Sequence, residues 1–213
     1  MKLLIASDIH GSAYWCRRLM EAVAQERPDK LILLGDLLYH GPRNDLPRDY
    51  APKQVIPMLS SEKDRILAVR GNCEAEVDQM VLPFPCMADY AVLLVDGVTF
   101  YLTHGHHANP ENLPPLTAGS VFLSGHTHVK RDEVIGGIRC LNPGSVSIPK
   151  DGSHSYLLYE DGRFTIQEPK QFKPVEDYLK AQKRFKHLRE EDYERIRGYR
   201  DAEWTRLRRL ARL

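Results

Sequence analysis

The chain has 213 residues, 42% of them hydrophobic and 28% charged, enough apolar residues for one sizeable core, with length left for an appendage. No window approaches the ~20 apolar residues of a membrane span, and the apolar run Leu3-Leu4-Ile5-Ala6 after Met1-Lys2 is too short for a signal peptide. Cys16, Cys73, Cys86 and Cys140 are widely spaced with no Cys-x-x-Cys pair, which argues against a zinc ribbon or a disulfide framework and for free thiols in a reducing cytoplasm.

Leu3 to Ala6 reads as a buried strand that runs into Ser7-Asp8-Ile9-His10-Gly11. Ser12 is placed to cap a helix reaching about Gln25, with Tyr14, Trp15, Leu19, Ala22 and Val23 on its apolar face. Pro28-Asp29 breaks it, and Lys30 to Leu34, apolar without alternation, is a second strand covered on both faces. A β-α-β start of this kind implies a parallel pair with a right-handed crossover. After Gly35-Asp36 comes a polar loop holding His40, Pro42, Arg43 and Asn44, then a helix over about Pro52 to Ser60 and a third strand over Arg65 to Val69.

Beyond Pro83 and Pro85 the pattern turns to short strands and tight turns. Tyr90 to Val95 and Val98 to Thr103 flank Asp96-Gly97, a hairpin signal. Val121 to Ser124 follows, then Val129 to Ile135 and Ile138 to Leu141 across Gly136-Gly137, and His154 to Tyr159 and Arg163 to Gln167 across Asp161-Gly162. The expected fold is α/β: a two-sheet β-sandwich flanked by helices over residues 1–169, with a helical C-terminal extension over 170–213. That extension carries 14 Lys and Arg against 8 Asp and Glu, a net of +6 on a chain whose total is +1. Its apolar residues, Val175, Leu179, Phe185, Leu188 and Ile196 among them, fall mostly three or four apart, the stripe of a helix packing on its own body or on a second copy. A nucleic-acid-binding arm is the less favoured reading, since Glu190-Glu191-Asp192 interrupts the basic face.

The polar residues at the strand ends form one set: Asp8, His10, Asp36, Asn72, His104, His126 and His128. Open α/β sheets place ligands at the carboxyl ends of their strands. A mixture of imidazoles, carboxylates and one amide suits Mn²⁺, Fe or Zn²⁺ better than Mg²⁺ or Ca²⁺, which prefer oxygen shells. Seven donors exceed one tetrahedral site and suffice for two metals sharing a carboxylate. Any one of these residues alone is more simply a turn or cap, but their joint recurrence after successive strands and glycines points to a site.

Asp8-x-His10, Gly35-Asp36, Gly71-Asn72, His104-Gly105-His106 and Gly125-His126-x-His128 resemble the ordered signature of the calcineurin-like metallophosphoesterases. More narrowly, His40-Gly41-Pro42-Arg43-Asn44, Pro110-Glu111-Asn112-Leu113-Pro114 and Asn142-Pro143-Gly144-Ser145 are similar to the small bacterial phosphodiesterases of the YfcE type. The resemblance covers residues 1 to 167 and implies two divalent metal ions, Mn²⁺ first with Fe, Ni, Co or Zn as alternatives. One metal would take Asp8, His10, Asp36 and His128, and the other Asp36, Asn72, His104 and His126. The implied reaction is hydrolysis of a phosphodiester by a metal-bridging hydroxide. Many relatives have His where this chain has Cys73, which makes Cys73 a candidate catalytic residue; Arg43, in the loop after Asp36, can bind phosphate bidentately and is a candidate substrate contact. His106 is expected to stand beside the ligands rather than among them, and Asn142-Pro143-Gly144 to be a structural turn near the site. A homo-oligomer in the cytoplasm is expected. The rivals are a phosphomonoesterase or nuclease and, from a different class, a protein scaffold, which would predict lost ligands.

Overall fold

The computed structural model describes residues 1–169, and the expected 170–213 helical extension lies outside the described residues. The described chain runs β1 (Leu3–Ala6), α1 (Ala13–Glu26), β2 (Lys30–Leu33), α2 (Pro52–Ser60), β3 (Ile66–Ala68), α3 (Glu76–Val81), β4 (Tyr90–Val95), β5 (Val98–Thr103), β6 (Val121–Leu123), β7 (Lys130–Ile135), β8 (Ile138–Pro143), β9 (Tyr156–Glu160) and β10 (Arg163–Gln167). Two mixed five-stranded sheets result, one in the order β10-β9-β1-β2-β3 and the other β4-β5-β6-β8-β7. Each sheet has three neighbouring parallel strands: β1, β2 and β3 in the first, where β3 is the edge, and β5, β6 and β8 at the centre of the second. β10, β4 and β7 are added antiparallel through hairpins, and β9 pairs antiparallel with β1.

The continuous apolar runs are explained by burial on both faces. Alternate side chains of β1 and β2 go opposite ways: Leu4, Ala6, Leu31 and Leu33 pack under α1 and α2, while Leu3, Ile5 and Ile32 meet Phe100, Leu102, Val121 and Leu123 of the second sheet. Each fully buried Leu or Ile contributes about 1.5–3 kcal/mol relative to exposure. The far face of the second sheet buries Phe122, Ile138 and Cys140 beneath Ala108, Leu113 and Leu116 of the 104–120 connection. That connection is therefore anchored rather than loose, a point that matters near the site.

Local chemistry sets the boundaries. Ser12 caps α1, its Oγ accepting from Trp15 N–H. Asp96-Gly97, Gly136-Gly137 and Asp161-Gly162 all have positive φ at both positions, the turn whose twist matches a two-residue hairpin. β9 begins at Tyr156 rather than His154: Ser155 N–H bonds Ser145 O (3.4 Å) instead of a strand partner, and His154 Nδ1 and Ser155 Oγ tie the segment to the carbonyls of Val146 and Pro143. The short helix α3 was not expected from the sequence. Among the described residues no helix is long and apolar enough to cross a membrane.

Candidate metal centre

Strands β1, β2, β3, β5 and β6 all end in the same place. β1 delivers Asp8 and His10, β2 Asp36, β3 Asn72, β5 His104, and β6 His126 and His128. Five of these residues hold left-handed backbone: Asp8 (φ 58°), His10 (48°), Asp36 (56°), His126 (68°) and His128 (60°). Such conformations cost of order 1 kcal/mol each and persist only where the surroundings fix them. Here they are fixed by hydrogen bonds between loops: Asp8 N–H to Gly35 O (3.1 Å), His10 N–H to Asp36 O (2.8 Å) and Gly125 N–H to His104 O (2.7 Å). The loops approach so closely that a Cβ on Gly125 would overlap Ser7 Oγ, and one on Gly71 would overlap Asp36 Oδ1.

The seven expected residues converge. His128 Nε2 lies 3.2 Å from Asp8 Oδ1 and 3.2 Å from His10 Nε2. Asp36 Oδ2 stands between His10 Nε2 at 3.6 Å and His104 Nε2 at 3.4 Å. His104 Nε2 is 3.1 Å from Asn72 Oδ1 and 3.3 Å from His126 Nδ1. The groups Asp8/His10/His128 and Asp8/Asp36/His104 each have donor atoms within 4.8 Å of one another.

Three imidazoles are oriented identically. His10 Nδ1 donates to Tyr39 O (2.8 Å), His104 Nδ1 to Leu34 O (2.7 Å) and His128 Nδ1 to Ile148 O (2.9 Å). A carbonyl can only accept, so in the neutral ring Nδ1 carries the proton and the Nε2 lone pair faces inward. Among the described residues Asp8 Oδ1 is buried with no hydrogen-bond partner. Inward lone pairs crowded against an orphaned carboxylate oxygen fit a divalent metal, and these residues could hold one.

The electrostatics agree. Burial alone would depress the His104 ring, but contact with Asp36 and the charges of Asp8 and Asp36 lift it to about 9. Burial opposes ionisation of Asp8, yet His10 and His128 hold it well below the usual carboxylate range, and His104 does the same for Asp36. The cluster thus balances its carboxylates with protons on histidine. A cation competes for those lone pairs, so metal binding releases protons.

The remaining expected residues divide. Cys73 borders the cluster, within 4.8 Å of donor atoms of His10 and Asp36. Its thiol is raised by burial and by Asp36 and Glu74. Arg43 lines a cavity of about 280 Å³ with Asp36, Asn72, His126 and His128. His106 stands next to His104, with ring centroids 5.4 Å apart, but is in neither ligand group. Asn142 is the structural group it was expected to be. Its Nδ2 donates to Gly125 O (2.7 Å) and Thr127 Oγ1 (3.1 Å), and its Oδ1 accepts from Gly144 N–H (2.8 Å).

Three contributions were missed. Glu74 accepts from the N–H groups of Asp36 (2.9 Å), Leu37 (2.6 Å) and Gly71, and so ties the Asp36 loop to the Asn72 loop. Burial and Asp36 push its carboxyl up to about 7 against the pull of those donors. Ser145 and Ser147 both donate to Asp8 O, at 2.8 and 3.0 Å. Lys150 lines the same cavity as Arg43. The Gly-Asn-Cys-Glu motif could have pointed to Glu74. Nothing local marks the other two.

The family model of the calcineurin-like phosphoesterase superfamily domain matches residues 1–161. The chain belongs to that superfamily. Phosphodiesterase YfcE of Escherichia coli (strain K12) is 50% identical over 153 residues, 72% of this chain and 83% of that protein. The solved structure of Yfce, a phosphoesterase from E. coli, superposes with a TM-score of 0.78 at 46% identity, over 79% of this chain and 93% of that one. Vps29 from Entamoeba histolytica shares the fold alone, with a TM-score of 0.52 at 18% identity over 78% of this chain and 97% of that one. Fold by itself therefore does not decide activity, and the site must.

Proposed function

We propose that this chain is a dinuclear metal-dependent phosphodiesterase. The observation that carries this reading is the intact set of inward-facing donors around Asp36, in a chain 50% identical to a phosphodiesterase. One divalent ion is assigned to Asp8, His10, Asp36 and His128, and the second to Asp36, Asn72, His104 and His126. Asp36 is the shared ligand because its Oδ2 faces both His10 and His104. The family reading puts Mn²⁺ first, and the imidazoles of the set also suit Fe, Ni, Co or Zn as alternatives. When bound, the metals supply Lewis acidity, orient the phosphoryl group and acidify water for attack on phosphorus.

The chain's own residues do the rest. The carbonyls of Tyr39, Leu34 and Ile148 fix the tautomer and aim of three imidazoles. Arg43 and Lys150 border the cavity beside them and neutralise the phosphoryl oxygens, Arg43 with a fork suited to bidentate contact. Cys73 keeps its proton at neutral pH, so it acts as a weak hydrogen-bond donor and not as a nucleophile. No covalent enzyme intermediate is required. With a thiol where relatives carry His, the site handles good leaving groups such as phenolates better than alkoxides. The enzyme works in the cytoplasm as a homo-oligomer.

The test is hydrolysis of bis(4-nitrophenyl) phosphate by metal-stripped protein, with and without added Mn²⁺, beside 4-nitrophenyl phosphate. Mn²⁺-restored diester cleavage that collapses in Asp36→Asn is expected. A preference for the monoester would move the assignment to phosphatase, and no turnover of either by folded, metal-loaded protein would favour a scaffold.

A further inference from the structure

The motif Pro110-Glu111-Asn112-Leu113-Pro114 takes no part in the metal centre, yet it is built into the wall of a second cavity. Asn109 and Asn112 exchange main-chain hydrogen bonds (3.3 and 2.9 Å), and Asn109 Oδ1 accepts from Glu111 N–H (3.1 Å), which fixes Glu111 at the tip of a two-residue turn. Leu113 holds the turn down on the Phe122 cluster. Across the cavity, Arg131 of β7 reaches Glu111 Oε1 with Nη1 (3.2 Å) and Nη2 (3.3 Å) and also meets Glu133 at 2.9 Å. Both guanidinium contacts fall on Oε1, and among the described residues Glu111 Oε2 takes no hydrogen bond.

This cavity, about 200 Å³, shares His126 and Thr127 with the cavity of Arg43 and Lys150. The candidate metal centre therefore lies at the junction of two recesses, as a substrate with two ester arms requires. Their charges differ. One side has Arg43 and Lys150 with Asp36 as its single acid. On the other, the Arg131 charge is answered by Glu111 and Glu133. The volume is below that of a drug-sized site and suits one ring.

We propose that the Glu111/Arg131 cavity is a subsite for one ester arm of the diester, taking a neutral hydroxyl-bearing group such as a furanose sugar. This rests on the phosphodiesterase reading above. A vicinal diol can donate to Glu111 Oε2 and accept from Arg131. An aryl arm would desolvate the ion pair and return no hydrogen bonds. An anionic arm would meet the Glu111 carboxylate.

The experiment uses the full-length, Mn²⁺-loaded protein and diesters that share a 4-nitrophenolate leaving group, with the other arm uridine 5′-yl, 2′,3′-dideoxyuridine 5′-yl, phenyl or carboxyphenyl. The uridine arm is expected to exceed the phenyl arm in kcat/KM by about tenfold or more, the equivalent of a hydrogen bond to a charged group. The carboxyphenyl arm is expected to be worst, and removing the diol should erase the advantage. Arg131→Met and Glu111→Gln should bring the uridine-to-phenyl ratio near one through KM. An unchanged ratio in both variants, or a wild-type preference for phenyl, overturns the subsite. Failure of the wild type to cleave any of the four would instead strike the phosphodiesterase reading. The subsite would then be judged by saturation-transfer NMR with free uridine, where a wild-type signal lost in Arg131→Met supports it and no wild-type signal refutes it.

Discussion

Replacing Asn142 by Ala isolates the structural support beneath the metal centre. Asn142 is 2% exposed, and its three hydrogen bonds hold the turn that presents His126 and His128. The substitution leaves the buried Gly144 N–H without its partner, while the Gly125 carbonyl keeps the Thr127 N–H at 2.8 Å. An unsatisfied buried polar group costs about 1–3 kcal/mol. At about 2–4 °C per kcal/mol for a chain of this size, the melting temperature falls by about 2–12 °C. His126 and His128 are also held at φ 68° and 60°, and backbone freed from its support relaxes toward ordinary conformations. Metal affinity is therefore expected to fall about 10–100-fold, the range for lost outer-shell support. Thermal denaturation followed by circular dichroism reads the first quantity, and calorimetric Mn²⁺ titration reads the second. A variant that melts within about 1 °C of wild type and binds Mn²⁺ equally well would refute the reasoning, since such a change is under about 0.5 kcal/mol.

Arg43→Ala and Lys150→Ala are each expected to raise KM for a diester by about tenfold, the loss of one charge-assisted contact, with Tm unchanged. Cys73 should resist iodoacetamide at pH 7.5, because burial and nearby carboxylates keep its thiol protonated; rapid, substrate-protected inactivation would contradict this. Burial alone would raise the carboxyl of Asp151, but its pairing with Lys130 at 2.7 Å holds it below its ordinary value. Its stabilisation is present above that ordinary value and is lost as pH falls through the depressed one. Asp151→Asn should therefore cost about 1 kcal/mol at pH 7, and the gap from wild type should close below about pH 3 in urea titrations.

Much of the fold was legible because doubly buried parallel strands must be written as unbroken apolar runs. Leu3 to Ala6 and Leu31 to Leu33 could be read directly, and the hairpins announced themselves through Asp96-Gly97, Gly136-Gly137 and Asp161-Gly162. The ligand candidates were legible for a related reason, since each stands within five residues of the end of a strand, and the carboxyl ends of neighbouring parallel strands lie together. The assignment of strands to two sheets was not legible, because β1 pairs β9 across about 150 residues with no local mark of the partner. α3 is a six-residue helix, too short to show a periodic face. Ser145, Ser147 and Lys150 reach the site through main-chain carbonyls and cavity walls, contacts that leave no spacing in the sequence. Glu74 looked like the end of a motif, while its role, bonding three N–H groups from two loops, exists only in three dimensions.

The most direct test of the central claim is a metal titration with two readouts. Metal-stripped protein is loaded with Mn²⁺ in steps, and bound metal per chain is measured beside the rate of bis(4-nitrophenyl) phosphate hydrolysis. The dinuclear site predicts saturation at two equivalents, with diester turnover rising mainly with the second and both lost in Asp36→Asn. Full activity at one equivalent, or activity that Asp36→Asn leaves intact, would contradict it.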